Sequence, residues 1–221
     1  MGEGVLITLI ETLEDVVFGA QELIKIEPRF APALAVTAPL PLRRKPDGFA
    51  ALMSAIVGQQ VSVAAARAIE ARCVAGGLTD PATVRTATED EMRACGLSRQ
   101  KVKYLKALAE ARLDYDALRA APTEDVVRTL VAVPGIGPWT AEIYARFSLG
   151  HADVFAHGDL ALQEATRLLF ELPSRPTERA MRDIAAEWAR WRAVAASEGE
   201  WRVFLSVASA GEVAGAEERS S

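Results

Sequence analysis

The chain has 221 residues, half of them hydrophobic, and a formal net charge of −5. It can bury one large core or two small lobes, and its acidity argues against a surface that binds polyanions everywhere while leaving room for a local basic stripe. No apolar run approaches a bilayer span, the N-terminus lacks a basic leader, and two cysteines are too few for an iron–sulfur cluster or a closed zinc site.

In chain order, mixed apolar spacing with early acids predicts a helix over residues 5–26. The proline-rich stretch PRFAPALAVTAPLPLRRKPDG, residues 28–48, predicts an irregular connector. A long apolar helix is expected from Phe49 to about Val74, closed by Gly76-Gly77. Cys73 lies near its end, and it and Cys95 read as reduced structural thiols. A short helix near Asp90–Ala94 stops at Gly96, and Ser98 is the candidate N-cap of a helix running to about Leu113. Thr123 is a second candidate N-cap, followed by Glu124, Asp125 and an apolar stripe of Val126, Val127, Leu130 and Val131. That helix breaks at Pro134, and the next starts at Pro138, whose missing N–H suits a first helical position. Further helices follow Asp159 and Thr177. With no β alternation and no internal repeat, the expected class is all-α.

The string LVAVPGIGPWTAEIYA, residues 130–145, joins two of these helices by a tight turn. Gly135 and Gly137 open backbone angles closed to other residues and let a ligand approach the main chain. The following helix start offers N–H groups and a partial positive charge. Gly135, Gly137 and the Thr140 N–H and hydroxyl therefore read as donors to a DNA phosphate, a contact that carries no sequence information. A plain helical corner using glycines for geometry is the alternative.

Asp159 follows Gly158 and has an ordinary role open to it, as N-cap of LALQEATRLL. His151, Asp153, His157 and Asp159 crowd together, but their spacing fits no familiar metal motif, and His157 is placed in a loop beside the cleft. No strand-turn-Ser context supports a Ser-His-Asp hydrolase.

The hairpin, the loop HADVFAHGD and the final Asp together resemble the helix-hairpin-helix, Gly/Pro-rich loop, Asp superfamily of DNA glycosylases. PGIGPWTA is most similar to its 3-methyladenine DNA glycosylase II branch. The likeness runs from about Pro39 to Ala195 through GFAALMSAIVGQQVS, GLSRQKVKYLKALA, VPGIGPWTAEIY and DVFAHGDLALQEA, with weaker support from EWARWRAVAA. It implies a two-lobed helical bundle with a central cleft: residues 1–38 packing on the core, the glycosylase domain at 39–195, and a divergent tail from 196 to 221. The extra β lobe of some members of the branch has no counterpart, and the tail leaves one pocket aromatic unassigned, with Trp201 as its candidate.

The resemblance implies a role for each matched position. Asp159 is the catalytic carboxylate, and Val131, Val133 and Ile136 present backbone carbonyls to a monovalent cation, Na+ or K+. Trp139 stands where the lyase branch has a lysine; an indole forms no Schiff base, so hydrolysis without lyase chemistry is implied. Trp139, Tyr144 and Trp191 are candidates for an aromatic base pocket, which favours a cationic base. Gln59, Gln60 and Ser62 are assigned to DNA contact, with Gln60 filling the gap left by a flipped nucleotide. The substrate implied is 3-methyladenine, with 7-methylguanine beside it, in duplex DNA. No cofactor is required, and a monomer, cytoplasmic or at a prokaryotic nucleoid, is expected.

Two segments remain outside this pattern. Arg99, Lys101, Lys103 and Lys106 crowd a helix start that would prefer acids, which reads as phosphate contact, with Lys101 foremost, or as a solvated basic face. Arg43, Arg44 and Lys45 read as a basic surface loop. A non-catalytic hairpin module that only binds DNA is the competing function, and a glycosylase/lyase is opposed by Trp139.

Overall fold

The computed structural model describes residues 7–37 and 39–196. Among them are thirteen α-helices, one π-helical turn and one isolated β-bridge, so the all-α expectation holds. The chain divides into two compact units, Met1–Ile7 with Arg44–Leu149, and Thr8–Arg43 with Gly150–Ser221. The boundaries expected from the sequence lie near residues 38 and 195. The expected tail, with Trp201, lies outside the described residues except for Ala196.

The first helix, α1 (Leu13–Ile26), begins later than predicted. The Thr12 hydroxyl accepts from the Asp15 N–H, and the Asp15 carboxylate accepts from the Thr12 N–H, a reciprocal cap that fixes the start. Before it, Leu9 pairs antiparallel with His151: Ile10 N–H donates to Gly150 O at 2.7 Å and Ala152 N–H to Thr8 O at 2.9 Å. The predicted connector contains a helix, α2 (Phe30–Thr37). Pro32 falls in its first turn, where the N–H that proline lacks has no intrahelical partner anyway.

The predicted long helix is two helices, α3 (Phe49–Gly58) and α4 (Val63–Ala75). Gln59 is extended, Gln60 takes φ +56, and the Ser62 hydroxyl accepts from Ala65 N–H at 3.2 Å to open α4. Four helices follow, three of them short: α5 (Pro81–Thr86), α6 (Glu89–Ala94), the longer α7 (Arg99–Glu110) and α8 (Tyr115–Ala120). Their N-caps are Asp80, Thr88, Ser98 and Asp114, each accepting from the first turn. α9 (Thr123–Val131) is capped by Pro122, not Thr123 as expected, and has no side-chain cap bond. α10 (Pro138–Tyr144) runs on into the π turn Ala145–Leu149. The core of this unit is built on Leu52, Met53 and Ile56 of α3, against which α7 packs with Leu105 and Leu108.

The chain then returns to the unit that holds α1, through α11 (Leu160–Leu169), α12 (Glu178–Ala186) and α13 (Arg192–Ala195). Trp188 is buried edge-on to Phe30 at 5.1 Å and to Phe155 at 5.6 Å. Gly19 gives α13 its approach to α1: a Cβ there would lie 2.5 Å from the Trp191 ring. Arg192 ties the end of α12 to the loop, donating to Ala185 O at 2.8 Å and pairing with Asp153 at 3.1 Å.

Candidate functional site

In the unit built on α3, α9 and α10 face each other across the turn at 132–137. Gly135 has φ +94, and a Cβ on it would sit 2.3 Å from Tyr104 Cγ, so the α7 ring occupies the space that a side chain would need. Gly137 is the N-cap of α10; it gives no side-chain cap, and a Cβ there would meet nothing within 4 Å. The first glycine is thus required by packing. The second keeps a helix start open.

The GQQ and PGIG motifs, far apart in sequence, are joined here. Gln59 Nε2 donates to Gly135 O at 2.9 Å, locking the α3–α4 link to the hairpin turn. Gln59 is therefore a brace for the turn. Gln60, beside it, is exposed and held in the left-handed region, a backbone state that costs about 1–3 kcal/mol in a residue other than glycine. Ser62 is exposed, and its hydroxyl caps α4.

A groove of about 710 Å³ runs between α3, α4 and α10. Its floor is small side chains of α3, and its walls include Gln59, Val63, Trp139, Thr140 and Ile143. Trp139 is 49% exposed, which leaves ring surface open to a ligand. Tyr144 is buried; its hydroxyl accepts from Gly48 N–H at 2.8 Å and so fixes the start of α3. Burial pushes its phenol up to about 12. The third aromatic candidate, Trp191, belongs to the other unit: it is 8% exposed in that unit's core, edge-on to Phe18 at 5.5 Å. Its surroundings are those of a packing residue.

The basic residues of α7 divide into inward and outward sets. Lys101 is 9% exposed and donates from Nζ to Val57 O at 2.6 Å, closing the C-terminal end of α3; burial lowers its pKa. Lys106 donates to Arg85 O and Ala87 O at the end of α5. These ammonium groups serve carbonyls at helix ends, where the helix dipole favours a cation. Arg99 is exposed and lies 3.6 Å from Glu89, and Lys103 is exposed.

Asp159 lies in the second unit, at the end of the loop after His151. Its Oδ1 accepts from Ala161 N–H at 2.8 Å and Leu162 N–H at 3.2 Å, and its own N–H donates to Ala156 O at 2.9 Å. Gln163 Nε2 donates back to His157 O at 3.0 Å, bracing the loop from one turn further along α11. The carboxylate is part-exposed and fixed in direction by main-chain donors. His157 stacks edge-on to Phe155 at 5.3 Å. Among the described residues, no group of three or more His, Cys, Asp or Glu side chains is arranged to hold a metal ion.

The description of HhH-GPD superfamily base excision DNA repair proteins matches residues 53–190, which include both the hairpin and Asp159. The chain belongs to this superfamily. Its stretch of 166 residues, 67% of the chain, is 31% identical to 73% of DNA-3-methyladenine glycosylase 1 of Schizosaccharomyces pombe. The crystal structure of DNA-3-methyladenine glycosidase from Bacillus halodurans has a TM-score of 0.75 at 30% identity, over 83% of this chain and 88% of that one. The Schizosaccharomyces pombe 3-methyladenine DNA glycosylase (Mag1), in complex with abasic DNA, has a TM-score of 0.67 at 26% identity, over 84% and 95%.

Within this HhH-GPD protein, sequence reasoning missed Tyr104, the ring that fills the space over Gly135, and Ile143 and Glu70, which line the groove. Ile143 had a signal, because it stands one helical turn after Trp139. Tyr104 and Glu70 had none, since their roles come from packing between distant helices. The hairpin's donor set suits a monovalent cation. Val133 O accepts from Ile136 N–H at 3.1 Å and keeps a second lone pair, and three neutral carbonyls impose no charge that would call for a divalent ion.

Proposed function

We propose that this chain is a monofunctional N-glycosylase that removes 3-methyladenine, with 7-methylguanine as a second substrate, from duplex DNA. Membership of the superfamily and the names of its relatives support the reaction class and the alkylated substrate. The observation that carries the assignment of residues is Asp159, a carboxylate aimed by two main-chain N–H groups at the end of the matched loop.

Alkylation on a ring nitrogen makes the purine cationic and weakens its bond to deoxyribose. The base then leaves without a strong general acid, and positive charge develops on the sugar. Asp159 stabilises that charge electrostatically and orients or deprotonates the attacking water. A base inside the stack is out of reach, so the nucleotide must turn out of the duplex. Gln60, already held in a strained backbone state at an exposed tip, enters the gap, and its amide meets the orphaned partner base. Trp139 offers an electron-rich face to the cationic base. Gly137 and the start of α10, with Thr140, grip a phosphate. The carbonyls of Val131, Val133 and Ile136 would hold a Na+ or K+ that adds positive charge at that grip. We take the working form to be a monomer.

The test is release of methylated purine from alkylated duplex DNA by the native chain and by Asp159→Asn. The native chain releases free base and leaves an intact abasic strand, and the variant binds the DNA without releasing base. Equal release by both removes Asp159 from the mechanism. Binding without release by the native chain makes the protein a DNA-binding module, and strand cleavage by it restores lyase chemistry.

A further inference from the structure

The proposed mechanism gives Trp139 to the cationic base and leaves one charged part of the same groove without a task. Of the described residues that line this groove, Glu70 is the one carboxylate. It is half-buried on α4, two turns after Val63, and the seven-residue spacing puts both on one face of that helix. Much of the remaining lining is apolar, with Ala51 and Ala55 of α3 and Trp139 and Ile143 of α10. Among the described residues no hydrogen bond or ion pair engages Glu70, although Arg67 stands one turn before it on α4. Lys45, the one cation in the lining, has its ammonium over the Phe147 ring, 5.3 Å from the centroid. A carboxylate drawn partly out of water without a partner costs stability, and a cation entering the groove would offset that cost.

We propose that Glu70 is a specificity-determining residue for this reaction: it selects purines that carry a positive charge over the neutral bases of undamaged DNA. The inference rests on the glycosylase reading, with the groove as the place of the turned-out base. A neutral purine would desolvate the carboxylate and return nothing. A base charged on its ring meets an opposite charge in a setting less polar than water, where the attraction is stronger. The face of Trp139 draws the same cation.

The effect belongs to capture of the base, not to cleavage of its bond. The electron pair of the glycosidic bond returns to the base as it leaves, so the base becomes neutral while positive charge passes to the sugar. Glu70 therefore holds the bound substrate more strongly than the transition state, and Asp159 does the reverse. An interaction that weakens along the reaction tightens binding without raising the rate of the chemical step. It also lets the neutral product go.

The experiment uses the full chain and a duplex carrying one 7-methylguanine, in single-turnover kinetics over a range of protein concentrations. Glu70→Gln keeps the size of the side chain and removes its charge. It should raise the protein concentration for half-maximal rate by about tenfold, with the maximal rate equal or higher. Glu70→Asp, which restores the charge on a shorter stem, should recover part of that loss. A duplex with 7-methyl-7-deazaguanine, a neutral base of the same shape, should bind the native chain and Glu70→Gln equally well. A half-saturating concentration that does not move, a fall in maximal rate alone, or equal weakening on the neutral analogue would each overturn the proposal; the last is the result a merely structural residue gives. No release of methylated base by the native chain would overturn the glycosylase reading, and this inference with it. Release by the native chain with an unaltered Glu70→Gln would leave that reading standing and remove only the role of Glu70.

Discussion

The starts of α10 and α11 face the same backbone problem and meet it in opposite ways. Every helix start has N–H groups with no partner inside the helix. At α11, Asp159 supplies the acceptor from within the chain and is itself aimed by the bonds it makes. At α10, Gly137 supplies no side chain, and the space where one would stand is open. One start holds an internal anion; the other brings none of its own. A helix start is therefore not in itself a functional signal. What matters is whether the chain brings its own acceptor.

The largest expected effect comes from Asp159→Asn. Asn is as good an N-cap as Asp, so α11 keeps its start and the melting temperature moves little. The charge is lost, and base release should fall by about 10³-fold, the scale on which acid–base and electrostatic groups act. Single-turnover release of methylated purine measures it. Asp159→Ala adds a loss of about 1 kcal/mol of stability through the missing cap. If the Asn variant melts early instead, Asp159 is chiefly structural, and the contrast with α10 disappears.

Gly135→Ala tests the packing half of the hairpin. The residue needs φ +94, and its methyl group would meet the Tyr104 ring. A left-handed backbone in a residue other than glycine costs about 1–3 kcal/mol, and the clash adds to it. Denaturant melts should show that loss, and Tyr104→Ala in the same chain should return part of it. Gly137 has neither constraint, because its backbone is extended and its surroundings are empty.

That difference allows α10 to be given the start that α11 has. Gly137→Asp places a favoured capping carboxylate at a position that accepts it. Thermal stability should hold or rise by a few tenths of a kcal/mol, while DNA affinity falls by about 2 kcal/mol, because an internal anion now occupies the place of the phosphate. Melting and binding titrations on one sample separate the two. Unchanged affinity would mean that α10 does not grip DNA through its first turn.

Much of this was legible before any coordinates. The caps at Ser98 and Asp159 and the start at Pro138 are local, and local chemistry is written in adjacent residues, although α9 ends at Val131, ahead of the expected break at Pro134. The hairpin and the Asp loop were legible because several residue types had to occur in a fixed order. The α3–α4 break was missed because apolar spacing continues through Gln59-Gln60, whereas the helix ends on backbone angles and a Ser62 cap that periodicity does not weigh. The α2 helix was missed because the prolines of the stretch around it mask the position of the one inside it; Pro32 sits where a helix tolerates it. The roles of Gln59, Tyr104 and Lys101 depend on partners dozens of residues away, and a single sequence does not reveal those pairings.

Lys101 and Lys103 extend the contrast between internal and external partners to a single helix, with smaller effects. Lys101 is turned inward onto the Val57 carbonyl, and Lys103, two residues on, is exposed. Lys101→Met should cost about 1.5 kcal/mol of stability, the lower end for a hydrogen bond from a charged group, and leave the salt dependence of DNA binding as it was. Lys103→Ala should leave stability within about 0.5 kcal/mol. If Lys103 meets phosphate, its removal lowers the slope of log affinity against log salt by about 1. The pair distinguishes the two readings of the basic α7 face: a flat response at Lys103 would leave this face solvated and concentrate the phosphate contacts at the hairpin.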